Sequence, residues 1–183
     1  MAATSKEVEI ILTEYKSLRE EIVKKMDFCW KILTFETGGT SLVLGFVFAQ
    51  SAYELLPLVP FLILVSSFLH LSETSAIINA GNYIRDHIEK SLKKFLGNDN
   101  EYKPMSWETF VEEKADPYKL VNISTACLFM GMFWASIVLS VLFKDKMEIP
   151  LTPDWSFNLL LLGYLVAFIV YLYTWVTQII KKI

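Results

Sequence analysis

Lys31, Glu36, His70 and Glu73 carry ionisable side chains inside, or at the edge of, stretches that are otherwise apolar. A carboxylate and an imidazole placed together can pass a proton, hold a cation or lock two helices. A neighbouring carboxylate favours the protonated ring, so the pair would respond near neutral pH. Charged groups at membrane depth are costly and normally find partners, which is why such a cluster is read first as a site. It has three readings: a structural polar lock between helices, which is the ordinary one, a proton or ion gate, and a catalytic pair. The last has little to build on. The chain has two histidines and no HExxH, GxSxG or phosphate-loop pattern, so no nucleophile and base can be assembled. Cys29 and Cys127 lie far apart and read as buried free thiols, because their spacing supports neither a disulfide nor a metal pair. No catalytic residue, metal or cofactor is assigned.

The elements that position these residues follow from composition. Of 183 residues, 54% are hydrophobic and 14% aromatic, and the mean hydropathy is +0.41. Two runs, 120–143 and 155–180, contain no Asp, Glu, Lys, Arg or His. About 20 helical residues cross a hydrocarbon core of about 30 Å, so both runs predict transmembrane helices. Two further spans are expected at 28–50 and 55–71. Some 27 largely polar residues precede the first apolar run, which argues against a signal peptide. The expected fold is all-α: one membrane domain over 1–183 built as a four-helix bundle.

Lysine and arginine orient it. Fifteen of the 17 lie before or at the start of the first span, between the second and third spans, or at the C-terminus; only Lys144 and Lys146 lie in the other two loops. Positive charge is retained on the cytoplasmic side, so both termini and the middle loop are expected there, with the chain in the cell (inner) membrane. No basic stripe with stacking aromatics is present, so direct nucleic-acid contact is not expected.

Thr4 and Glu7 have capping-box spacing, and Val8, Ile11, Tyr15, Leu18 and Ile22 repeat in steps of three and four. A helix over 5–27 therefore runs without a breaker into the first span. Pro57 and Pro60 fall in the first turns of the second span, where a missing amide costs least. The second span continues as a polar helix over 72–96 with its own stripe, Ile77, Ile84 and Ile88. The two stripes predict an antiparallel hairpin outside the membrane, packed within the subunit in the first instance and between subunits in the sharper reading. The segment 97–118 reads as a loop with a short helix, whose Trp107 and Phe110 suit a docking site for a cytosolic protein. Asp116–Pro117 and Asp154 start the third and fourth helices, over 119–143 and 155–180.

A hairpin turning at Ala52–Tyr53 sets residues equidistant from the turn at equal depth. That arithmetic brings Glu36 level with His70 and Lys31 within a turn of Glu73. Around Glu36 the chain reads FETGGTSLVLGF, in which Thr37, Ser41, Gly45 and Ala49 fall four apart, with Gly38 beside them. Small faces of this kind let membrane helices approach closely, and Gly131 and Ala135 repeat the spacing once. The stripe reads as a seam within the subunit or, alternatively, between subunits.

EYKSLREEI (residues 14–22), the apolar hairpin, INAGNYIRDHIE (78–89) and SWE (106–108) together resemble a group of small prokaryotic multi-pass membrane proteins, some of which lie beside defence genes. The resemblance covers roughly residues 14–108 and implies the hairpin, with no catalytic residues to carry over. Joined to the residue-level reading, it raises two expectations. One is a non-enzymatic, homo-oligomeric membrane effector that permeabilises lipid in a channel-like way. The other is a membrane anchor or scaffold for a cytosolic partner.

Overall fold

The computed structural model describes residues 5–92, 116–147 and 154–177. It has four long helices: α1, Ser5–Gln50; α2, Leu58–Tyr83; α3, Asp116–Leu142; and α4, Asp154–Trp175. All four are long and apolar enough to cross a membrane, and no strand occurs among the described residues. The fold is the expected four-helix membrane bundle with an extended first hairpin.

α1 is one uninterrupted helix of 46 residues, about 69 Å long at 1.5 Å per residue. No proline interrupts it, so its polar and apolar halves share one axis. It ends on Ser51, the only non-glycine residue with positive φ (55°) among those described. The Ala52 amide reaches back to the Val47 carbonyl at 3.0 Å, the bond that closes a Schellman-type helix end. A 3₁₀ turn over Tyr53–Leu55 reverses the chain. Pro57 then caps α2, and Pro60, in its first turn, is buried.

α2 is the central helix. Toward α3 and α4 it presents Val59, Ile63, Leu64 and Leu71, which close a core with Phe129, Phe133, Tyr164, Phe168 and Tyr171. Phe133 and Phe168 stack at 5.0 Å with planes 2° apart, so α3 and α4 touch mainly through rings. The Tyr164 hydroxyl donates to the Pro57 carbonyl and ties α4 to the start of α2. α3 turns Ala126, Phe129, Phe133, Ser136 and Ser140 inward, a spacing of threes and fours that keeps one stripe on the seam. Ser136 and Ser140 donate to the carbonyls of Phe133 and Ser136, at 2.7 and 2.9 Å, so their hydroxyls are satisfied without leaving the helix.

Beyond Tyr83 the helix continues through a π-helical stretch, Ile84–Glu89, as far as Leu92. Here Ile22 of α1 closes a second core with Ile84, Ile88 and Leu92, flanked by Val8, Ile11, Tyr15, Leu18, Ile77 and Ala80. Ile84, Ile88 and Leu92 are four apart, and in an α-helix each such step drifts by about 40°. The wider π turn offsets the drift and keeps all three against α1. Both stripes are thus covered within one chain. At the opposite end Phe48, Tyr53 and Phe143 form a ring cluster, with Tyr53 and Phe143 stacked at 5.0 Å. Lys146 sits over Phe143 and Tyr53, and Lys144 over Phe157, so both lysines of that end lie on aromatic faces.

Candidate functional site

Glu36 is the buried carboxylate of the α1–α2 seam, 3% exposed. It lies 14 residues before Gln50, about 21 Å along the helix. Its partners are hydroxyls. Thr40, one turn on, donates to it from Oγ1 at 3.4 Å, and the Ser66 hydroxyl of α2 faces the same carboxylate from across the seam. Among the described residues no lysine, arginine or histidine lies at ion-pair distance from it.

Two expected pairings are corrected. His70 does not meet Glu36: its ring tilts against Phe129 of α3 at 5.5 Å, and Nδ1 is 3.5 Å from the Thr74 hydroxyl. It lines a cavity of about 10 Å³ with Thr74, Asn122, Thr125, Tyr171 and Trp175, space for about one water. Lys31 does not reach Glu73; it pairs with Asp27 one turn back on the exposed side of α1. Glu73 instead takes Lys25 at 2.8 Å, and the Glu73 carboxylate raises the Lys25 pKa above its usual 10.5. Further out, Tyr83 donates to Glu14 at 2.9 Å, which raises the tyrosine pKa.

The reason is register. Equal depth about Ala52–Tyr53 assumes that the two arms are equivalent about the turn, and the docked pair is not: Glu36 meets Ser66, one turn earlier than His70, and Glu73 meets Lys25 rather than Lys31. Lys25 was missed because it stands outside the apolar run, and Ser66 because a serine in a span carries no signal until its neighbour is known.

The small-residue stripe is also corrected as an internal seam. Ser41, Gly45, Ala49 and Gly38 are exposed and Thr37 is half-buried, while Gly131 and Ala135 are exposed on α3. A Cβ added at Gly38, Gly45 or Gly131 would meet nothing within 4 Å. The stripe's hydroxyls turn inward to backbone, Thr37 to the Leu33 carbonyl (2.9 Å) and Ser41 to that of Thr37 (2.7 Å). Cys127 is exposed rather than buried, Cys29 is partly buried beside Thr74, and both are free thiols. Trp107 and Phe110 lie outside the described residues. Among the described residues no three His, Cys, Asp or Glu side chains form a metal-binding group.

No protein-family model, curated protein or solved structure matches the chain, so the site is read from its own residues.

Proposed function

We propose that the chain is a subunit of a homo-oligomeric, non-enzymatic membrane effector that permeabilises the bilayer it occupies. One observation carries this reading: α1 packs almost entirely on α2 and leaves its small-residue face open along the membrane half. Lipid tails give apolar side chains little reason to prefer one another, and close backbone approach is what brings membrane helices together. Gly38, Ser41, Gly45 and Ala49 offer that approach to a second copy, while Phe35 and Leu42, 75% and 76% exposed, flank it. With the basic loops inside, the polar hairpin and both termini stand in the cytoplasm. A role in prokaryotic defence rests on the sequence resemblance alone.

The test is a mass measurement in detergent, joined to reconstitution in liposomes holding a potassium diffusion potential and a voltage-sensitive dye. The expected result is a discrete oligomer and collapse of the potential in proportion to protein added. A monomer that leaves the potential intact would overturn the proposal in favour of a membrane anchor for a cytosolic protein.

A further inference from the structure

His70 lines a cavity that three helices share, at the end of the bundle that carries the polar hairpin. Thr74 joins it from α2, Asn122 and Thr125 from α3, and Tyr171 and Trp175 from α4. A neutral imidazole has one donor and one acceptor to satisfy. Among the described residues the ring's one hydrogen-bonding contact is Nδ1 to the Thr74 hydroxyl, long at 3.5 Å against the usual range of about 2.7–3.2 Å. Tyr171 is 4% exposed, yet its hydroxyl bonds to no other described residue. The same holds for the Asn122 amide, the Thr125 hydroxyl and the Trp175 indole N–H. Buried polar groups in folded proteins are nearly always hydrogen-bonded, to protein or to ordered water.

We infer that this cavity binds one water molecule, the shared hydrogen-bond partner of His70 and the polar groups that α3 and α4 turn to it. The volume, about 10 Å³, is that of one water and excludes an organic ligand. Apolar cavities stay dry, whereas a polar one offering two to four partners holds its water. The lining contains no carboxylate, ammonium or guanidinium, so an ion of either sign would enter without a countercharge. Water both donates and accepts, which suits a lining where Trp175 can only donate while Tyr171, Thr125 and Asn122 do either. Bridging bonds of this kind are nearly as favourable as direct ones. Away from this end α3 and α4 meet through the stacked rings of Phe133 and Phe168; here the water ties both of them to α2. His70 thus joins helices through a water rather than through Glu36. The site does not require the chain to oligomerise or conduct.

Water-edited solid-state NMR tests it. The full chain, labelled with ¹⁵N-histidine, is reconstituted in deuterated lipid, and magnetisation is passed from water protons to the imidazole nitrogens. The chain has two histidines: His87 is exposed on the hairpin and serves as the internal reference, and His70→Gln assigns the signals. The expected result is transfer to both rings. Asn122→Leu combined with Thr125→Val keeps the lining close to its size but makes it apolar, so the His70 signal should be lost while that of His87 persists. Tyr171→Phe, which removes a single partner, should weaken it. Unfolding would wet His70 and raise its signal, so a loss cannot come from a misfolded variant. A His70 ring that receives nothing while His87 does would overturn the site. So would an unchanged His70 signal in the variants at native helicity. Because the readout is local to one ring, an intact membrane potential in the dye assay leaves this result standing.

Discussion

At the residue scale the informative groups are those whose partners lie on the other arm of the hairpin. Lys25 and Glu73, at 26% and 25% side-chain exposure, form the ion pair at the base of the polar extension. A double-mutant cycle with Lys25→Met and Glu73→Gln should give a coupling of about 0.5–1 kcal/mol. Its pH dependence has a definite sign. The Lys25 pKa is raised by Glu73, so the coupling is fully present below the unfolded lysine value of 10.5 and is lost as pH climbs through the higher folded value. Thermal unfolding of the four proteins in detergent at neutral and strongly alkaline pH checks it. The ionisable residues were legible in the sequence as a group, whereas the pairings were not. Lys31 and Lys25 differ only by less than two helical turns, and only the docked register of α1 on α2 chooses between them.

At the element scale, the two hairpin arms are held by different devices. The polar extension depends on few apolar side chains, and Ile84 is wholly buried among them. Ile84→Ala should cost about 2–4 kcal/mol, visible as faster amide exchange in 5–27 and 72–92, while the membrane core around Phe133 keeps its protection. The turn offers the opposite change. Ser51 holds a left-handed conformation at φ 55° that glycine adopts without penalty, and its amide-accepting helix end is already formed. Ser51→Gly should therefore raise stability by about 0.5–1 kcal/mol, read as a higher midpoint in thermal unfolding. The heptad spacing of Val8 to Ile22 and of Ile77 to Ile88 was enough to foresee the hairpin, because a charged helix with one apolar stripe must cover that stripe. The π stretch could not be foreseen, since it answers a phase mismatch that exists only once both helices are docked.

For the whole molecule, the open question posed by the fold is what covers α1. Its membrane half exposes Trp30, Phe35 and Leu42 beside the small-residue face. Gly45→Leu separates folding from assembly: the added side chain meets no atom of its own chain within 4 Å at Cβ, so the monomer should fold with unchanged helicity. If copies meet through this face, the variant should elute as a smaller species in detergent chromatography and should no longer collapse the liposome potential. An unchanged oligomer would move the contact elsewhere. The same substitution at Gly131, equally open on α3, asks whether a second face takes part.

Length, charge gaps and proline placement were sufficient by themselves for four helices and the folding back of the first two, because a bilayer core leaves the backbone few choices. The lysine distribution likewise sets an expected orientation without any coordinates. Only tertiary structure decided which small residues are inside: Ser136 and Ser140 of α3 took the seam, while Gly45 and its neighbours stayed outside. It also decided that Glu36 faces Ser66 while His70 turns to Phe129. Both outcomes depend on helix rotation and on docked register, and these are properties of packed helices that no segment carries alone.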